Sequence, residues 1–255
     1  MHHTRRQCAA TALAALAGSA AAQSDPAGFG TVYNIGTVPP GSLFDVLGAV
    51  TGTQAGDGNN DTGEAFITPM FLGGDTVASD SQLNLFDDGQ IVGRFSAGPT
   101  NGSGSNIEFN IFGGSVRDVF FAYSGSTVNI SSGTIGNGLD VYSGTVTMSA
   151  GAIGDDFFAG PGTSINLFGT SFILDGVELT DLVLGQAFTI ADRDVVRTGV
   201  LADGSLFDFN LSTDISLRDD FFSPDATLTV TLVPAPGAAG TLAIGTLLAA
   251  RRRRG

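Results

Sequence analysis

Short apolar segments with one polar insertion recur through the middle of the chain. Apolar–Asn–apolar appears at Leu83-Asn84-Leu85, Phe109-Asn110-Ile111, Val128-Asn129-Ile130 and Ile165-Asn166-Leu167, with Thr147 replacing Asn in Val146-Thr147-Met148. A second element follows at Gly114-Ser115-Val116, Gly133-Thr134-Ile135 and Gly151-Ala152-Ile153. A third comes next at Phe95-Ser96-Ala97, Phe120-Phe121-Ala122, Leu139-Asp140-Val141 and Phe157-Phe158-Ala159. Gly125, Gly144 and Gly162 close the units. The period is 18 or 19 residues, except for one spacing of 26 that accommodates a loop, Gly98 to Ser105, at one corner.

Alternation with period two predicts strands, and the glycines between them predict corners. None of these strands is long enough to be stable alone. Stacked about 4.8 Å apart, equivalent apolar residues fall into columns that fill one interior. The pattern predicts an all-β protein built on a short right-handed parallel β-helix of four or five rungs over residues 83–172. The Asn column then either faces a ligand, lies on the outer strand face, or forms an amide ladder at a turn.

The flanks read differently. Residues 23–82 lack the repeat and are expected to form an N-terminal β cap. Residues 173–232 alternate at Leu206 to Leu211 and Ala226 to Leu232. They are expected to form antiparallel strands that close the other end. Open edges of a stack would otherwise pair with other chains.

Residues 1–22 combine basic Arg5 and Arg6, an apolar stretch from Cys8 to Ala17, and small residues at Ala20 and Ala22. This is the layout of a secretory signal peptide, with cleavage after Ala22. Residues 233–255 run from Val233, Pro234 and Pro236 through the uncharged stretch Gly237 to Ala250 and end in Arg251, Arg252, Arg253 and Arg254. From Val233 the uncharged run is 18 residues, the minimum for a transmembrane anchor helix. The arginines would stay on the cytoplasmic side.

This three-part C-terminus resembles the PEP-CTERM sorting signal, with Ala235 where that family usually has glutamate. The resemblance implies that the tail holds the protein in the inner membrane until an exosortase-type transpeptidase cuts near Val233, Pro234 and Pro236. The repeat strings Ser126 to Gly144 and Thr145 to Gly162 also look like the glycine-rich rungs of surface proteins that carry this signal. That likeness implies architecture rather than activity.

Charge narrows the partners. Between the two ends lie five Arg, no Lys, and all 25 Asp and Glu, a net charge of −20. Such a body repels nucleic acid and anionic lipid. It favours solubility and attracts divalent cations. Both histidines, His2 and His3, and the only cysteine, Cys8, lie in the N-terminal segment. The body therefore has no Ser-His or Cys-His pair for nucleophilic catalysis and no usual zinc ligands.

Carboxylate chemistry remains open. Asp87, Asp88, Asp118, Asp140, Asp155 and Asp156 lie near strand ends, with Arg94 and Arg117 available as the base of a polysaccharide lyase. Two oxygen-rich runs, Asp57 to Asp61 and Gly136 to Tyr142, are candidate calcium loops. The expectation is a non-catalytic exported surface or matrix protein without a required cofactor. The alternative is a carbohydrate-active or carbohydrate- or calcium-binding β-helix, whose surface would carry an Asp-lined groove and an aromatic platform. Extracellular polysaccharide is the partner that alternative implies.

Overall fold

A computed structural model describes residues 24–52, 54–55, 64–65, 71–72, 79–99, 103–217 and 220–235. The described chain is all-β with two 3-10 turns, Pro26–Gly28 and Ile215–Leu217. Three sheets of parallel strands form its centre.

The first sheet takes Ser79–Leu85, Ser105–Ile111, Ser126–Ile130, Gly144–Met148 and Thr163–Leu174 in that order. The second takes Gln90–Ile91, Ser115–Val116, Thr134–Ile135 and Ala152–Ile153. The third takes Phe95–Ala97, Phe120–Ala122, Gly138–Val141 and Asp156–Ala159. From Ser79 to Ala159 the chain visits first, second and third sheet in turn, four times over. Each visit lands one strand further along.

The register follows the sequence repeat residue for residue. Leu83, Phe109, Val128, Val146 and Ile165 form one row. Phe95, Phe120, Leu139 and Phe157 form another. All of these are buried and belong to one hydrophobic core. A fully buried Phe or Leu contributes about 2 kcal/mol by leaving water, so repetition substitutes for long strands.

Glycine makes the corner between the first and second sheets. Gly114, Gly133 and Gly151 have φ of +67°, +78° and +85°. A Cβ on Gly133 would lie 2.6 Å from the carbonyl oxygen of Gly113 in the neighbouring rung. Both the left-handed backbone and the close approach require glycine there.

The opposite face of the first sheet carries the Asn column, and it is an amide ladder rather than an exposed outer face. Asn129 Nδ2 donates to Asn110 Oδ1 (2.9 Å), Asn110 to Asn84 (2.9 Å), and Asn84 to Asn34 (3.0 Å). Asn34 Nδ2 ends the run on the Phe44 carbonyl at 2.8 Å. All four amides are buried. Buried Glu108 accepts from Gln82 and Asn110, both at 2.8 Å, and from the Ser24 N–H. Residues 24–52 therefore reach over this face through Ser24 and Phe44 and supply partners that a bare outer strand would take from water.

That segment also enters the sheet itself. Thr31–Ile35 pairs in parallel with Ser79–Leu85, with Tyr33 opposite Leu83 and Asn34 opposite Asn84. Val50–Gly52 adds a further parallel strand beyond it. The hydrogen bonding thus runs through the boundary expected at residue 83. The repeat is hard to see there because Tyr33-Asn34-Ile35 precedes Leu83-Asn84-Leu85 by 50 residues instead of 18 or 19.

At the other end the expectation for 173–232 needs correction in part. Val177–Glu178, Ala187–Ile190, Val196–Leu201 and Leu206–Asn210 are antiparallel, as expected. Phe221–Phe222 is a parallel addition to the third sheet, and Thr227–Leu232 pairs in parallel with Thr163–Leu174 of the first sheet on one edge and antiparallel with Ala187–Ile190 on the other. Parallel pairing sets Leu228 on Ile165 and Val230 on Leu167, which extends the apolar columns by one layer. Ala187–Ile190 then covers the free edge of Thr227–Leu232, the protection an exposed edge needs. No helix among the described residues is long and apolar enough to cross a membrane. The segments 1–22 and 237–255 lie outside the described residues.

Candidate functional site

The middle residue of each third-sheet triplet must point away from the core, because neighbours in a strand face opposite ways. Those residues are Ser96, Phe121, Asp140, Phe158 and Phe221, one above another in register. Beside them Tyr142 follows its strand as Tyr123 does one rung earlier. The Tyr142 N–H bonds the Ala122 carbonyl and the Gly160 N–H bonds the Val141 carbonyl. A second column therefore runs Tyr123, Tyr142, Gly160.

The rings form one continuous strip. Tyr123 and Tyr142 lie 5.2 Å apart at 6°, Tyr142 and Phe158 5.1 Å apart at 43°, and Phe158 and Phe221 5.0 Å apart at 20°. Phe121 closes on both tyrosines at 6.4 Å. Tyr142 is 44% exposed and the other four rings are half-buried. These separations follow the rung repeat and exceed the contact thickness of a ring, so the rings are slipped and keep part of each face in solvent.

Gly160 keeps the strip low. A Cβ there would sit 2.9 Å from the Tyr142 carbonyl oxygen and 3.2 Å from Cε1 of Phe158. The missing side chain leaves that space to the Phe158 ring.

Asp140 interrupts the aromatic column between Phe121 and Phe158. Its carboxylate has no hydrogen-bond partner among the described residues. Burial pushes its pKa up, the Asp156 carboxylate adds to this, and Arg94 opposes it. Both tyrosines are also raised, chiefly by burial, with Asp140 contributing. Raised values with a named cause, in a surface cluster, mark a candidate site.

The other candidate carboxylates are dispersed. Asp118 accepts from the Val119 N–H (2.8 Å) and from Asn137 Nδ2 (3.0 Å), bonds that hold its pKa down. It is thus poorly suited to give up a proton as a general acid. Asp88 is held low by the hydroxyl and backbone N–H of Thr37, at the far corner between the first and second sheets. Asp87 shares that corner, where a Cβ on Gly113 would strike it. Asp155 and Asp156 are exposed beside the strip. Arg94 and Arg117 are exposed as well.

Of the two calcium-loop candidates, Asp57 to Asp61 lies outside the described residues. In Gly136 to Tyr142, Asn137 turns to Asp118 while Asp140 faces the rings. No three metal-ligating side chains converge among the described residues. Val233 and Pro234, expected to open a sorting motif, follow the last strand directly, the Val233 N–H bonding the Gly169 carbonyl at 2.8 Å. Pro236 and Arg251, Arg252, Arg253 and Arg254 lie outside the described residues.

The aromatic residues of the strip were not singled out from sequence, although the signal was present. Once the third element is read as a strand, its middle position is outward, and Phe121 and Phe158 occupy it. No protein-family model, no curated protein and no solved structure matches the chain.

Proposed function

We propose that the three parallel sheets form a short right-handed parallel β-helix, and that this β-helix is the exposed body of an exported, non-catalytic cell-surface protein. The PEP-CTERM-like tail anchors it in the inner membrane by a transmembrane helix until an exosortase-type enzyme processes it. The observation that carries the reading is the exit of the chain. The last strand, Thr227–Leu232, completes a layer of the first sheet and delivers Val233 and Pro234 directly to the motif. A folded body thus ends where the sorting signal begins, with no intervening linker. The absence of His, Cys and Lys between Gln23 and Ala235 supports a role without turnover.

Intact mass and fractionation of the protein in its own host test this. A mass ending near Pro236, with protein at the surface or in the medium, is the expected result. A chain that keeps Arg251 to Arg254 in the inner membrane, or stays in the cytoplasm, overturns it.

A second reading, carbohydrate binding with or without cleavage, is favoured by one feature, the half-buried Asp140 carboxylate, without a hydrogen bond from the described residues, set among partly exposed rings. Reducing-end assays on polysaccharides separate the two forms. Turnover that depends on Asp140, rather than on the low-pKa Asp118, would make it an enzyme. Unchanged polymer would leave a binding surface.

A further inference from the structure

We propose that the outer face of the third sheet binds an uncharged polysaccharide, laid along the stacking direction over Tyr123, Tyr142, Phe158 and Phe221, with Asp140 accepting hydrogen bonds from sugar hydroxyls. This rests on the carbohydrate-binding reading above and is independent of how the protein is sorted.

The rings alone could serve the fold, since stacked aromatics stabilise a column. Asp140 does not fit that role. A Phe at position 140 would continue the column from Phe121 to Phe158. The carboxylate there is half-buried and takes no hydrogen bond from the described residues, and burial pushes its pKa up, so keeping it ionised costs the folded protein. A half-buried carboxylate beside the rings that accepts no hydrogen bond from the described residues is an open acceptor for a ligand.

The chemistry of the strip selects the ligand. A pyranose has an apolar C–H face and a rim of hydroxyl donors. Slipped ring faces suit the first, and an acceptor-only carboxylate suits the second. The rings recur at 5.0–5.2 Å over two adjacent columns, the Tyr142–Phe158 step crossing from one to the other, so a polymer of similar rings can make the same kind of contact repeatedly. Anionic polymers are excluded by Asp118, Asp155 and Asp156 nearby and by the charge of the body. A polycation would find Arg94 already acting on Asp140.

The test uses the full-length chain and its own fluorescence. The protein has no Trp and three Tyr, two of them in the strip and the third, Tyr33, packed against the core. Native gels containing β-1,3-glucan, hydroxyethylcellulose, galactomannan or alginate would be run beside tyrosine-emission titrations. The expected result is retardation and an emission change with at least one neutral polymer and none with alginate. Tyr142→Ala and Asp140→Ala should each weaken binding by about tenfold, the loss expected for one buried ring or one charge-assisted hydrogen bond. Tyr142→Phe should retain most of it. Circular dichroism and melting curves show whether each variant is folded.

Binding that survives in folded Tyr142→Ala and Asp140→Ala would overturn the site while leaving carbohydrate binding intact. No binding by any neutral polymer, or preference for alginate or a poly-arginine peptide, would overturn the carbohydrate reading as well.

Discussion

Asp140 illustrates how one residue can trade stability for a surface property. Its folded-state pKa lies above the ordinary carboxylate value, chiefly through burial. Ionisation therefore costs the folded state more than the unfolded one. That cost is fully present above the folded value and vanishes below the unfolded value of about 3.9. Asp140→Asn should accordingly be more stable than the natural protein at pH 7. The advantage should shrink as pH falls through the folded value and be gone near pH 3. Denaturant unfolding of both proteins across that range checks this, and an advantage independent of pH would refute it. Arg197 is a second costly residue. It is fully buried, its three guanidinium nitrogens have no hydrogen-bond partner among the described residues, and the guanidinium lies 5.1 Å from the centroid of the Phe172 ring. Burial brings its pKa down to about 10, so it is still charged at neutral pH. Arg197→Met keeps the packing and removes the buried charge. It should raise stability by about 1–3 kcal/mol, read as a higher denaturant midpoint with an unchanged slope.

At the scale of the element, close stacking of corners governs what each position tolerates. Gly154 follows the second-sheet strand Ala152–Ile153, and a Cβ there would run into the carbonyl oxygen of Gly136 in the adjoining rung. Gly154→Ala must push two rungs apart, and should cost about 1–3 kcal/mol. By contrast, Gly176 has open space around a Cβ, so Gly176→Ala should cost only the strain of its left-handed backbone, φ +78°. Equal losses in the two variants, measured by thermal melting, would mean that rung spacing is not the constraint. The same spacing explains what was legible in the sequence. Where each rung repeats the last, apolar rows and glycine corners recur at 18 or 19 residues, and the observed register matches them. Where a strand joins without that period, sequence fails. Thr31–Ile35 shares Asn34 and the row of Tyr33 but not the spacing. Thr227–Leu232 looks like any amphipathic strand: its antiparallel pairing with Ala187–Ile190 is as expected, but its parallel pairing with Thr163–Leu174 is not visible in its alternation. Direction depends on what lies beneath a strand, here Ile165 and Leu167, and alternation carries no information about that. The aromatic strip was half legible: Phe121 and Phe158 stand at a visible outward position. Their proximity to Tyr123, Tyr142 and Phe221, which lies 63 residues after Phe158 in the chain, needs the fold.

For the whole molecule, the dominant long-range force is self-repulsion. A net charge of −20 on the body opposes compaction at every pH where the carboxylates are ionised. The described core is continuous from Ile35 to Val230, so repulsion anywhere along it acts on one cooperative unit. Raising sodium chloride from about 10 mM to 1 M shortens the Debye length from about 30 to 3 Å. The melting temperature should therefore rise by several degrees over that range. Calcium distinguishes general screening from a specific site. If the acidic surface acts only as a diffuse charge, calcium and sodium chloride at matched ionic strength should give nearly the same rise. A steep increase at submillimolar calcium, saturating while sodium has no effect, would instead require coordinated binding, because a ligand of the folded state stabilises it in proportion to the logarithm of its concentration above Kd. Since no three carboxylates converge among the described residues, such a result would direct attention to Asp57 to Asp61, and an Asp57→Asn, Asp61→Asn double variant should then abolish the calcium response while keeping the sodium one.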